Sequence, residues 1–415
     1  LIALLFLMLA TWRWLGLGTA LVGGALLACD PTFLFISVLD WGVAVPSFLC
    51  RCACFYFAIR WNQKRRLHDA FLLGLFAGLG FFNKADFAVF LIGVTLAAAF
   101  CYWRQILAAI RQNSAAVALA GFGFALGGGP MVLKIPRMLA LTISGPHPNA
   151  PGETTTKLRT LISMYDGSHF HRLMNVGGVF ERMYDGASGS NALLGVFLII
   201  ALVVFFTLAY FKKIAGGRPI VFLILAGLLI TVGVFALPDA VRIHHAFLVF
   251  PFPQLIIATL IALTWNPTPS RFIGLLATAI ICVGGLVSIA ATQKLIRETG
   301  GRGRWSESLD AFCRENRNRS DLTIVSLDWG FNEQLTFLTD GPQLSEPFWE
   351  FNQTLPPLPA DPNYIYLAHP AEYSVLKYDV AYLNQLQSGN VNVEVTPHFD
   401  RQNEVAFYTI RFRSP

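Results

Sequence analysis

A bundle of transmembrane helices, mainly α, that carries a small α/β domain at its C-terminal end is the fold class this sequence predicts. Three observations predict it. Of 415 residues, 54% are hydrophobic and 13% charged, about half the charged share of a soluble globular chain. Apolar runs of roughly 20 residues, the length that crosses a bilayer, recur up to position 292. From about residue 300 they give way to short helical and extended patterns joined by Gly, Pro and Asp. A net charge of +6 and a pI near 9.0 require no nucleic-acid partner, because basic residues at cytoplasmic helix ends give the same sum.

The chain opens LIALLFLMLATWR, inside an apolar run and with no charged segment before it. That reads neither as a signal peptide nor as a whole first span, and implies a fragment that lacks its N-terminal part. The run at 1–11 is followed by runs at 15–29, 41–60, 69–83, 85–102, 114–133, 191–211, 219–237, 246–265 and 272–292, about ten spans in all. Lys and Arg fix their orientation. Arg60 with Lys64, Arg65 and Arg66, Arg104 with Arg111, Lys212 with Lys213 and Arg218, and Arg271 occupy four connections that strict alternation places on the cytoplasmic side. The other side then receives Asp30 to Asp40, the Lys84 turn, the loop 134–190, the turn before His245 and everything beyond 293.

Loop 134–190 is too long for a plain connector. Its second part, KLRTLISMYDGSHFHRLMNVGGVFERMYDG, has the mixed composition of one or two helices lying in the headgroup layer. A solvated cap and a substrate-gripping lid both fit it. The domain boundaries that follow are a transmembrane core over 1–295 and an extracytoplasmic α/β domain over 300–415. In that domain 304–316 and 371–387 read as helices, and 322–327, 364–368, 391–396 and 405–412 as strands, the last two as a hairpin. Seven cysteines give no disulfide framework. Cys50, Cys52 and Cys54 project roughly 200° apart on a helix, so they read as apolar filler rather than a metal site. His169 and His171 have the wrong helical spacing for a metal pair, and no metal site is predicted. No cofactor is predicted either, although a divalent cation stays compatible with the chemistry below.

Ionisable residues at hydrocarbon depth mark places where charge has a role. In DPTFLFISVLDW, 30–41, Asp40 starts the next span, where a carboxylate also suits a helix dipole, and Asp30 precedes Pro31 at a helix boundary. Lys84 stands in a turn almost without loop residues and needs an anionic partner, either Asp86 or a phosphate. Arg242, His244 and His245 stand where VRIHHAFLVFPFPQLIIA enters the membrane, as interface anchors or as ligands. Arg51 is mid-span and needs a partner the sequence does not name. Together they describe an outer-leaflet pocket of carboxylate, ammonium, guanidinium and imidazole beside an amphipathic cavity. A lipid-linked phosphate fits it, and glycosyl transfer from such a donor needs this kind of base and these cations.

The segments DPTFLFISVLDWGVAVPSFLCRCACFYFAIR and DAFLLGLFAGLGFFNKADFAVFLIGV, with the later HHAFLVFPFPQLIIA, resemble the membrane core of the protein O-mannosyltransferase and aminoarabinose-transferase group (glycosyltransferase family 39 and relatives, GT-C fold). The likeness is continuous over about 30–100 and patchier to about 292. Asp40 matches the group's acidic residue after a P-x-x-x-x-x-S-R-like stretch, and Lys84 ends its G-L-x-x-x-x-K pattern. Ser37 stands where that pattern has Arg. The resemblance implies inverting transfer of a sugar from a polyprenyl-phosphate donor to an acceptor (protein, lipid or glycan) on the outer face of the inner membrane. It also implies that the main catalytic carboxylates lie upstream of residue 1, which makes Asp40 a supporting acid.

Two other readings compete. A polyprenyl-lipid or small-molecule transporter without covalent chemistry requires internal repeats and broken helices; the Gly127–Pro130 break at the end of its span is the feature that favours it. A non-catalytic scaffold for the C-terminal domain leaves Lys84, Arg242 and the paired histidines unexplained.

Overall fold

The computed structural model describes residues 1–39, 42–144, 153–178, 193–211, 217–237, 240, 242–263, 268–347, 361–374 and 393–412, without the side chains of 136–144, 153, 268 and 269. The chain divides into two compact units, Leu1–His169 with Ser190–Ser288 and Phe170–Gly189 with Ile289–Pro415.

Among the described residues each of the ten apolar runs is mainly helical, although the run 246–265 is interrupted. Helices α1 (Ile2–Leu15) and α2 (Leu17–Ala28) are separated by Gly16 at φ 95°, a backbone angle that glycine adopts without steric cost. Asp30 caps α3 (Pro31–Val38) by accepting from the Phe33 amide at 2.9 Å, with Pro31 preset in the first turn. Helices α4 (Ala44–Lys64), α5 (Leu67–Asn83), α6 (Phe87–Gln112) and α7 (Ser114–Ser144) follow. Loop 134–190 contributes two amphipathic helices, α8 (Glu153–Tyr165) and α9 (His169–Val176). After it come α10 (Leu193–Tyr210), α11 (Arg218–Ala236), the short α12 (Ile243–Ala246), a 3₁₀ turn at Phe247–Val249, α13 (Phe252–Leu263) and α14 (Thr268–Thr299).

Among the described residues six helices are long and apolar enough to cross a bilayer, or seven if α2 and α3, bent by 63°, form one span. This is the pattern of a multi-pass membrane protein. The expected count of about ten is not reached. At 1.5 Å per residue α1 and α5 are about 21 and 26 Å long, short of a hydrocarbon core of about 30 Å, and α4 carries Arg51, Arg60 and Lys64.

The expected break at Gly127–Pro130 is absent: α7 runs through it. The glycines serve a different purpose, close packing of α5 on α7. A Cβ at Gly74 would overlap the Ala120 carbonyl, one at Gly123 the Phe71 carbonyl, and one at Gly127 would lie 2.5 Å from the Leu75 carbonyl. Small residues at such a crossing let two backbones approach where lipid offers no hydrophobic drive. The break lies instead in the expected span 246–265, where Pro251 and Pro253 have no N–H to continue the ladder. This segment, Ile243–Leu263, is the most deeply enclosed of the six, with 83% of its window buried.

The second unit holds a five-stranded sheet in the order β2-β1-β3-β5-β4: β1 (Thr323–Ser326), β2 (Gln343–Ser345), β3 (Tyr364–Ala368), β4 (Val393–Phe399) and β5 (Val405–Phe412). Strand β1 is parallel to β2 and β3, and β5 is antiparallel to β3 and β4. The hairpin expected at the C-terminal end is present. Strand alternation sends Ile324, Ile365, Leu367 and Phe407 to one face, with Leu309 and Phe312 of α15 (Ser308–Asn316) and Leu335 of α16 (Asn332–Leu338). Val325, Tyr366, Ala368 and Ile410 fill the other. The expected helix 371–387 lies outside the described residues from 375 onward.

Asp328 and His369 follow β1 and β3 at the carboxyl ends of these parallel strands. Arg304 donates to Asp328 at 2.8 Å and to the Tyr373 carbonyl at 2.7 Å, and His369 Nδ1 lies 3.4 Å from the same carboxylate. The His369 ring stacks on Phe331 at 4.0 Å. Burial, with Arg304 adding to it, pushes His369 down to about 3 from 6.5, although Asp328 pulls the other way.

Two outcomes follow from this packing. Gly74→Ala should destabilise detergent-solubilised protein by about 1–3 kcal/mol through overpacking. Gly121→Ala, with nothing within 4 Å of its Cβ, should be neutral or stabilising by up to about 1 kcal/mol; thermal unfolding of the two variants compares them. For His369 the unfolded chain takes up a proton near pH 6.5 that the folded unit refuses down to about pH 3, so stability should fall as pH drops through that window. Between pH 6.5 and 5, the slope of the unfolding midpoint against pH should be shallower in His369→Gln than in the parent.

Candidate functional site

The candidate site is assembled from two connections far apart in sequence. Helix α5 stops at Asn83 because Lys84 is extended, at φ −161° and ψ 135°. Asn83 donates its side-chain amide to the Val43 carbonyl at 2.7 Å, which ties this turn to the start of α4. Asp86 stands at the N-cap position of α6 but makes no capping hydrogen bond. Its carboxylate turns to Lys84 Nζ at 3.1 Å and His245 Nδ1 at 2.8 Å, and these two nitrogens are 3.4 Å apart. His245 belongs to α12, which Arg242 precedes, and the His244 ring lies 4.3 Å from that of His245.

Burial raises the cost of every charge in this group. The Asp86 side chain is 8% exposed and that of Lys84 26%. Burial, opposed by Asp86, leaves Lys84 below the ordinary lysine range, with Arg242 pushing the same way. Burial alone would raise Asp86, but the hydrogen bond from His245 and the charge of Lys84 hold it below the ordinary carboxylate value. With neutral imidazoles the group keeps one net positive charge, and the Lys84 side chain is more exposed than those of Asp86 and His245.

The sequence-predicted residues divide. Lys84, Arg242, His244 and His245 come together, as expected. Asp40 lies outside the described residues. Asp30 is buried beside α13, where it accepts from the Gln254 amide at 3.2 Å besides capping α3. Arg51, 1% exposed, donates through Nη1 to the carbonyls of Phe247 and Phe250, both at 2.7 Å, and its guanidinium lies 5.1 Å from the rings of both Phe48 and Phe247. It braces the broken segment that carries His245 and is also within electrostatic reach of Asp86.

The sequence offers Asp86 only as a structural partner for Lys84, places Lys157 among the basic residues of loop 134–190 without a partner, and does not single out Gln254. Buried Lys157 of α8 donates to the carbonyls of Phe235, at 3.1 Å, and Leu237, closing the end of α11 just before Arg242. One clue was available: a lysine followed by two apolar turns in a loop otherwise rich in turn residues. The cavity beneath α8, lined by Lys157, Thr160, Phe235 and Ala246, is about 10 Å³, room for a single water. Helix α8 is thus packed down as a cap on the neighbouring helices.

His169 Nδ1 lies 3.2 Å from Ser163 Oγ. Among the described residues no group of three or more His, Cys, Asp or Glu side chains is arranged to hold a metal ion. No family model matches the chain, and no curated protein matches it.

A double-mutant cycle between Asp86→Asn and His245→Gln should give a coupling of about 0.5–3 kcal/mol in unfolding free energy, the range for residues in contact. Strict additivity would deny the hydrogen bond that joins the two connections.

Proposed function

We propose that this chain is a membrane glycosyltransferase, a bundle of the GT-C kind, that moves a sugar from a polyprenyl-phosphate donor to an acceptor with inversion. The observation that supports this reading most is the meeting of Lys84, Asp86, Arg242, His244 and His245 at one end of long apolar helices, where a phosphate headgroup with an isoprenoid tail has its two kinds of surroundings. The acceptor oxygen attacks C1 of the sugar opposite the phosphate, and the C1–O bond breaks with its electrons on the phosphate oxygen. Lys84 and Arg242 neutralise the departing phosphate. His245, whose Nδ1–H is held by Asp86, presents Nε2 to take the acceptor's proton. Asp40 keeps the supporting-acid role that the resemblance assigns it. Asp30 and Arg51, expected as substrate ligands, act on the frame of the site. In this proposal the protein sits in the inner plasma membrane with its C-terminal unit on the extracytoplasmic side.

A transporter without covalent chemistry is the second reading, favoured by the 63° bend between α2 and α3 at Asp30 and by the broken segment Ile243–Leu263, since discontinuous helices build such sites. The two differ in whether a covalent bond is cut.

Full-length protein reconstituted with a labelled polyprenyl-phosphate sugar should release polyprenyl phosphate and label an acceptor. Lys84→Ala and Asp40→Asn should each lower this rate by about 10²-fold or more in protein that circular dichroism shows to be folded. Full activity in both variants would remove the site, and donor translocation without C1–O cleavage would establish the transporter.

A further inference from the structure

The opposite end of α5 carries a second arrangement that the proposed reaction does not use. There Gln63 donates to the Arg13 carbonyl at 2.9 Å, joining the ends of α1 and α4, and Arg60 pairs with buried Asp69 at 3.1 Å, joining α4 to the start of α5. Trp14 packs edge-on against Phe222 at 5.5 Å, and Phe222 lies 6.1 Å from Tyr102, which brings α11 and α6 to the same place. Trp12 and Trp103 are 54% and 52% exposed here, the aromatic girdle expected at headgroup level.

Among the described residues Asp69 is the one carboxylate at this end, and Arg60 already occupies it. Arg13, Arg104 and Arg218 are exposed, and no described carboxylate pairs with them. Between α1, α2, α11 and α13 lies a cavity of about 230 Å³ lined by Trp14, Leu15, Thr19, Pro219, Ile220 and Ala262. Its walls are mainly apolar. Arg13 and Arg218 adjoin the lining residues Trp14 and Pro219 in sequence. The volume is below the roughly 300 Å³ of a complete small-molecule pocket, so it suits a segment of an acyl chain whose remainder lies in the bilayer.

We infer that this cleft is a binding site for an anionic phospholipid, with one acyl chain in the cavity and the phosphate between Arg13 and Arg218. Charge complementarity selects this occupant. A zwitterionic lipid fills the cavity equally well but gains less from guanidinium groups with no acid beside them, whereas a phosphate oxygen accepts their paired N–H bonds. The girdle places the rim at the depth where lipid phosphates reside.

Native mass spectrometry of the purified full chain, with phosphatidylglycerol and phosphatidylcholine of identical acyl chains, tests the inference. Phosphatidylglycerol should be retained at least fivefold over phosphatidylcholine. The double variant Arg13→Gln with Arg218→Gln should bring that ratio close to one, whereas Arg111→Gln, about two turns beyond Arg104 on α6, should preserve it. Ala262→Trp, which fills the cavity, should lower retention of both lipids. The thermal midpoint in phosphatidylglycerol against phosphatidylcholine provides a second readout, and circular dichroism verifies that each variant is folded. Equal retention of the two lipids, or a preference unchanged in the folded double variant, would overturn the inference. Loss of the phosphatidylglycerol preference in inorganic phosphate at matched ionic strength would also overturn it, because the site would then take free phosphate.

Discussion

A backbone carbonyl cannot be left without a partner in hydrocarbon, and the centre of this structure is organised by that constraint. The segment Ile243–Leu263 is interrupted by Pro251 and Pro253, which remove the N–H groups that would have continued its ladder. Arg51 donates through Nη1 to the Phe247 carbonyl, which Pro251 leaves without its i+4 donor and to which the Phe250 amide also donates at 3.1 Å, and to the Phe250 carbonyl beside the break, while the rings of Phe48 and Phe247 cover its guanidinium. Arginine suits this place better than lysine, since its flat face accepts aromatic neighbours while the one nitrogen Nη1 serves both carbonyls. The break, once satisfied, sets where the residues before it stand, and His245 is two positions before Phe247.

The same logic extends outward from Arg51. Helices α5 and α6 meet at a tight turn, and Asp86 there joins Lys84 to His245. Lys157 fastens the end of α11, and His245, three residues after Arg242, is held by Asp86. The glycine contacts between α5 and α7 hold α5, whose two ends carry opposite arrangements: a mixed-charge group at Lys84 and Asp86, and an almost purely basic rim around Arg13, Arg60 and Arg218. Burial confines the first group to a shared acceptor. Exposure leaves Arg13 and Arg218 of the second at the protein surface.

Much of this was legible in the residues, and the reasons for the rest are physical. Long apolar runs announce helices whatever their surroundings, which is why each run is mainly helical among the described residues, and the hairpin Val393–Phe399 with Val405–Phe412 is readable from alternation. Short elements such as Asn332–Leu338 and Gln343–Ser345 offer too few periods to stand out. Gly127–Pro130 looked like a break because glycine and proline interrupt helices in water. Between closely packed helices the same glycines are contact surface, and Pro130 is accommodated in the interior of α7. The FPFP sequence carries the signal for the actual break, although its apolar neighbours read as one continuous span. Arg51 announced its need for a partner but not its identity, since a carbonyl 196 residues away leaves no mark in composition or spacing. Asp86 was legible as a neighbour of Lys84, whereas its bond to His245 required the fold.

The shared site requires the α5–α6 turn and the start of the broken helix to emerge together at one face of the membrane, with the basic rim at the other. Labelling with a membrane-impermeant maleimide measures this directly, using full-length protein in oriented vesicles with the seven native cysteines replaced by alanine. Lys84→Cys and His245→Cys should react from the same side and form a disulfide when combined, while His68→Cys should react only from the other side. Reaction of Lys84→Cys and His245→Cys from opposite sides would contradict the shared site and the glycosyl-transfer reading built on it.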